Sequence, residues 1–147
     1  MGQLNLKEGA IIYLDASIII YTLEGNIKYL EYLRSLWTKF QSEEIEIMTS
    51  ELTLTEILIQ PFKSRDSLLI ADYEDFLTNS SIQLISISRS ILKTAAEIRA
   101  TKRIKTPDAI HAATAIQHPC TMFLTNDRGF QNTARLPVVV LDQVIQS

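Results

Sequence analysis

Ile11-Ile12-Tyr13-Leu14 is an apolar run that ends abruptly in Asp15. So short a run without a polar residue predicts a strand buried on both faces, as in a parallel sheet. A helical turn or two is expected from Ser17 to Leu23, broken by Gly25 and Asn26. From Ile27 to Gln41, Leu30, Leu33, Trp37 and Phe40 recur with Leu36 beside them, the stripe of an amphipathic helix. Ile45-Glu46-Ile47-Met48 predicts a second strand. Thr49 and Ser50 then offer an N-cap, Glu51 suits the first turn of a helix to about Ile59, and Pro61 is its expected stop.

Leu69, Tyr73, Phe76 and Leu77 mark another amphipathic helix, and Asn79-Ser80-Ser81 a turn. Ile82 to Ile87 reads as a third strand. Ser88 is placed to cap a helix carrying Ile91, Leu92, Ala95, Ala96 and Ile98. Thr106-Pro107-Asp108 has the form of a helix start, with a hydroxyl cap, Pro at the first helical position and then an acid. The Ala-rich helix behind it is expected to run to about Gln117 and to end at His118-Pro119. Met122-Phe123-Leu124 predicts a fourth strand leading into a polar loop, Thr125 to Gly129, and Val138 to Leu141 a fifth strand. Strands alternating with helices imply right-handed crossovers and an α/β fold with a mostly parallel sheet covered by helices.

The 147 residues suit one domain, 1–147, without a linker or internal repeat. An apolar share of 46% is enough for a core and excludes a disordered chain; 4 Gly and 4 Pro exclude a collagen-like or low-complexity one. A net charge of -3 argues against bulk electrostatic capture of nucleic acid but leaves room for a local basic patch. Cys120 is the single cysteine, so an internal disulfide and a Cys-rich zinc site are excluded and a reducing, cytoplasmic location is expected. Met1 to Glu8 lacks the basic flank and apolar core of a signal peptide. Gly2 fails the myristoylation pattern because Leu6 stands where Ser or Thr is required. No apolar stretch approaches the ~20 residues that span a bilayer, and no membrane association is expected.

In an open parallel sheet, ligands bind beyond the carboxyl ends of the strands, where the strand order reverses. The residues expected there include Asp15 after the first strand, Thr125-Asn126-Asp127 after the fourth, Glu56 on the helix after the second, and Asp108 opening the helix before the fourth. Each has a plain structural reading. Asp15 could end a strand, Asp108 could complement a helix dipole, Glu56 could be solvated and Asp127 could shape a turn. Their joint placement is what points to chemistry. Four carboxylates at one edge crowd one another, and a hard cation such as Mg²⁺ or Mn²⁺ relieves the conflict. Such a cation can assist phosphodiester hydrolysis. Arg99, Lys102, Arg103 and Lys105 precede the Asp108 segment and read either as a solvated helix end or as contacts to a phosphate backbone. His111 and His118 are too far apart for a helical i, i+4 metal pair, and His111 is expected near the site or in the core. No Gly-rich phosphate loop and no hydrolase nucleophile elbow is present.

Four segments resemble the PIN-domain nuclease family. They are Tyr13-Leu14-Asp15-Ala16-Ser17, Thr53-Leu54-Thr55-Glu56-Ile57, the ten residues from Thr106 to Ala115, and Leu124-Thr125-Asn126-Asp127-Arg128-Gly129-Phe130. Their order and spacing hold from about Ile11 to Leu141, and the third and fourth are the most specific. Gly129 departs from the pattern by standing where an acid often precedes the Phe. The resemblance implies a three-layer α/β/α sandwich with a parallel sheet of about five strands. It implies an Mg²⁺- or Mn²⁺-dependent ribonuclease with Asp15, Glu56, Asp108 and Asp127 as the acidic quartet and metal ligands. Ser17 and Thr125 would orient ligands or waters beside them. Small members of this kind are commonly toxins of VapBC-type toxin–antitoxin pairs, homodimers held by a small antitoxin. Three alternatives stay open: a PIN nuclease of RNA processing, a phosphatase or phosphotransferase with Asp15 as nucleophile, and a binding module that kept the fold. The phosphatase reading is weakened because Ser17 occupies the place of the second acid in the haloacid-dehalogenase type.

Overall fold

The computed structural model describes residues 2–133 and 135–147. Its sheet has five strands: β1 (Ile11–Leu14), β2 (Glu46–Ser50), β3 (Gln83–Ile85), β4 (Met122–Thr125) and β5 (Val138–Val140). All neighbours are parallel, in the order β3-β2-β1-β4-β5. The chain works outward from β1 to β3, then returns to the other side of β1 to place β4. The order therefore reverses between β1 and β4, and a crevice is expected beyond their carboxyl ends.

The helices are α1 (Ala16–Glu24), α2 (Ile27–Gln41), α3 (Leu52–Lys63), α4 (Ser67–Thr78), α5 (Arg89–Thr101), α6 (Thr106–Gln117) and α7 (Leu141–Gln146). Two apolar clusters show how they layer. Ile12, Leu14, Ile47 and Leu124 pack with residues of α1 to α4 and α7 on one face of the sheet. Tyr13, Met48, Ile85 and Phe123 pack with α5 and α6 on the other. The two-residue side-chain period of β1 divides its residues between the clusters. The result is the expected three-layer α/β/α sandwich.

Local chemistry sets most boundaries. The left-handed Gly25 (φ 64°) closes α1. Asn26, Asp66 and Ser88 cap α2, α4 and α5 by accepting from the backbone N–H groups of Lys28, Leu69 and Ile91. Several expectations are corrected. Thr49 and Ser50 belong to β2, and Ser50 Oγ accepts from Leu52 N–H at the start of α3. Pro61 does not stop α3, which continues to Lys63. So near the end of a helix, the missing proline N–H removes one bond, and the buried ring packs without breaking the turn. Thr106 is not the cap of α6 but its first residue; Lys105 takes the cap position without a side-chain bond, since a Lys ammonium has no acceptor, and the Thr106 hydroxyl accepts from Arg99 Nη1 at 2.8 Å. The third strand is only three residues long. Leu141 opens α7 instead of ending β5, and the loop after β4 contains a 3-10 turn, Arg128–Asn132.

Candidate active site

The carboxyl ends of β1 and β4, with α3 and α6 beside them, enclose a cleft of about 180 Å³. Asp15, Glu56, Asp108 and Asp127 all line it, together with Ser17, Tyr21, His111 and Asn126. A larger cavity, about 560 Å³, lies against Trp37, Phe40 and Phe76, but the four acids gather in the smaller cleft.

Asp15 is 6% exposed. Its Oδ1 accepts from Ser17 Oγ (2.6 Å) and from Ile18 N–H (3.4 Å), which caps α1. Its Oδ2 accepts from Thr125 Oγ1. Burial raises its pKa, and the bonds from Ser17 and Thr125 oppose that rise. Ser17 and Thr125 thus hold the Asp15 carboxylate in place. A carboxylate buried and bonded at both oxygens is not presented as a free nucleophile, which weighs against the phosphatase reading.

Glu56 projects from α3, and its Oε1 lies 2.6 Å from His111 Nε2. It is therefore tethered across the cleft and is not a freely solvated residue. Asp108 sits in the first turn of α6. Its pKa is raised, first by burial and then by Asp127, with further push from Asp15 and Glu56 and a counter-pull from His111. Asp127 is exposed and does shape a turn: its Oδ1 accepts from Gly129 N–H at 2.8 Å and caps the 3-10 turn. A Cβ at position 129 would meet Asp127 Oδ1 at 3.0 Å, so a larger residue there would press on the Asp127 carboxylate.

The basic cluster behaves differently. Arg99, Lys102, Arg103 and Lys105 are exposed, and none lines the cleft. Arg99 is committed to the fold: Nε donates to Ile104 O (2.9 Å) and Nη1 to Thr106 Oγ1, bracing the segment that carries Asp108.

Sequence reasoning missed a polar knot beside the acids. Asn126 Oδ1 accepts from Asp142 N–H (2.8 Å), which fixes the amide orientation. Its Nδ2 then faces Tyr21 Oη, Tyr29 Oη and Asp142 Oδ2 at 3.0–3.2 Å. The two tyrosine rings stack with centroids 4.2 Å apart. Asn126 was legible as a strand-end residue, but its partners 16 to 105 positions away carried no signal.

Among the described residues, no group of three or more His, Cys, Asp or Glu side chains is placed to hold a metal ion by itself. The quartet is accordingly not a ready-made cage. Its donor chemistry still fits a hydrated hard cation. Every acid offers oxygen, and the Asp108 pKa is raised first by burial and then by the negative charge of Asp127. Mg²⁺ keeps several waters and needs only one or two carboxylates.

A PIN-domain family model matches residues 12–136. The chain belongs to the PIN-domain family, the nuclease family its motifs resemble. Among solved structures it is similar to VapBC2 of Rickettsia felis bound to a promoter DNA fragment, at 21% identity and TM-score 0.70, covering 88% of this chain and 98% of that one. It is also similar to a toxin–antitoxin complex of Klebsiella pneumoniae, at 21% identity and TM-score 0.67, covering 88% and 97%. A third is Mycobacterium tuberculosis VapC20, a sarcin–ricin loop cleaving toxin, at 15% identity and TM-score 0.70, covering 86% and 98%. At these identities the likeness is one of fold. No match to a curated protein was found.

Proposed function

We propose that this PIN-domain protein is a divalent-metal-dependent endoribonuclease and the toxin of a type II toxin–antitoxin pair. The observation that carries this reading is the gathering of four carboxylates in one cleft at the sheet's switch point, without a matching cationic side chain among the cleft-lining residues. Asp15, Glu56, Asp108 and Asp127 would hold Mg²⁺ or Mn²⁺ jointly, in part through water. A cation so held supplies charge neutralisation for a phosphodiester and lowers the pKa of a bound water.

The chain's own residues do the rest. Ser17 and Thr125 keep the Asp15 carboxylate oriented. Arg99 braces the start of α6 and so the position of Asp108. Exposed Lys102, Arg103 and Lys105 would attract the RNA backbone toward the site. Neighbours of this fold are solved as toxin–antitoxin complexes, which supports a small antitoxin as partner. Homodimerisation belongs to the same reading. So does a cytoplasmic site of action.

The test is cleavage of a mixed RNA substrate with Mn²⁺ or Mg²⁺, with chelator, and with Asp15→Asn. Metal-dependent fragments that vanish with chelator and with the variant are expected. Equal cleavage by wild type and Asp15→Asn would defeat the assignment.

A further inference from the structure

We propose that His111 is a positioning residue which, backed by Tyr13, fixes where Glu56 presents its carboxylate in the acid cleft. The inference rests on reading that cleft as a metal-dependent site. Glu56 is long and part-exposed, so an untethered carboxylate would have many rotamers to lose before it could act. His111, 1% exposed, supplies the tether through Nε2 at 2.6 Å. Its other nitrogen, Nδ1, lies 2.6 Å from Tyr13 Oη. Tyr13 is itself immobilised, fully buried and stacked on Phe123 with centroids 4.9 Å apart and planes 4° from parallel. A chain of contacts therefore runs from the Phe123–Tyr13 stack in the core through His111 on α6 to Glu56 on α3.

The chain has a direction. A carboxylate oxygen only accepts, so the contact with Glu56 Oε1 calls for the proton on Nε2. In a neutral imidazole Nδ1 is then the acceptor and Tyr13 Oη donates to it, since the partner of one ring nitrogen sets the tautomer of the other. One Glu56 oxygen is occupied and the other is left for the cleft. Both imidazole nitrogens are engaged inside the protein, so His111 acts through Glu56 and does not touch substrate. Outer partners of this kind typically change metal affinity or activity about 10–100-fold when removed.

The experiment compares the full chain with Tyr13→Phe, His111→Gln and His111→Leu by three readouts. The ¹⁵N imidazole shifts of the metal-free protein, at about pH 8 where ordinary imidazole is uncharged, are expected to report the Nε2–H tautomer. Mn²⁺ titration is expected to weaken ~10–100-fold in His111→Leu. His111→Gln, which keeps an N–H donor near the Nε2 position, is expected to recover most of that loss. RNA cleavage is expected to fall in kcat with KM unchanged. An Nδ1–H tautomer, or folded His111→Leu binding Mn²⁺ as tightly as wild type, overturns the proposal. So does His111→Gln that is no better than His111→Leu. If His111→Leu does not fold, Tyr13→Phe and the imidazole spectrum decide. If the wild type binds no Mn²⁺, the metal reading falls on its own. The tether is then judged by Glu56→Ala: a displaced Nε2 signal supports it and an unmoved one refutes it.

Discussion

Asp108 carries two opposed demands at the scale of one residue. Function would need its charge, whereas the metal-free fold is strained by it, because burial and the neighbouring Asp127 disfavour the ionised form. Asp108→Asn keeps the volume and removes the charge. Cleavage of mixed RNA is expected to slow by orders of magnitude, while the metal-free protein melts at a higher temperature than wild type. A variant that melts lower and cleaves at the wild-type rate would return Asp108 to a helix-dipole role. The pH dependence has a defined sign. The folded pKa lies above the ordinary value of 3.8, so the favourable contribution is complete below that value and is lost as pH rises through the folded pKa. In chelator, the melting temperature of wild type relative to Asp108→Asn should therefore climb as pH falls from neutral toward 3.8. A difference that does not vary across that window would contradict the crowding of the acids.

At the scale of elements, α7 is joined to the sheet end by the Asn126 amide. Asn126→Ala removes bonds to Tyr21, Tyr29 and Asp142 together. A loss of about 1–2 kcal/mol is expected, seen as a melting temperature a few degrees lower. Faster amide exchange should be confined first to residues 141–146. Asp142 titrates in the opposite sense to Asp108. Burial alone would raise its pKa, but the Tyr29 hydroxyl, the Lys28 charge and the Asn126 amide outweigh it and bring it below 3.8. The stability it supplies is present above 3.8 and disappears as pH falls through the folded value. Equal acid-limb stability in Asp142→Asn and wild type would show that α7 does not depend on the Asp142 charge. The same scale explains two misread boundaries. Pro61 and Thr106 are strong local signals, yet α3 continues past the buried Pro61 to Lys63, and Thr106 lies inside α6 with its hydroxyl bonded by Arg99.

For the whole molecule the open question is how an acidic protein would engage an acidic polymer. The formal charge is -3, and four of the carboxylates behind it are gathered in the cleft. Any backbone attraction must come from a local patch. Reversing Lys102, Arg103 and Lys105 to Glu should weaken RNA binding and flatten its salt dependence by ~0.7 in slope for each lost phosphate contact. An unchanged slope would make the patch an ordinary solvated surface. Arg99→Ala is a separate experiment, because its loss should act through the Ile104–Thr106 brace and the seating of Asp108, with the salt slope nearly preserved.

Hydrophobic order along the chain determined the five strands, most of the helices and the parallel α/β plan, because burial period and helix punctuation are local properties. The acids were also legible, since Asp15 and Asp127 follow strands whose carboxyl ends any such sheet turns toward its crevice. What each acid touches was decided only in three dimensions. Glu56 reads as solvated until α6 brings His111, 55 positions away, within 2.6 Å. Tyr13 reads as one more core residue until the β1–α6 packing sets its hydroxyl on the imidazole. Asn126 reads as a turn until α7 returns to it. Partners of this kind are chosen by packing between elements far apart in the chain, and neither periodicity nor composition records that choice.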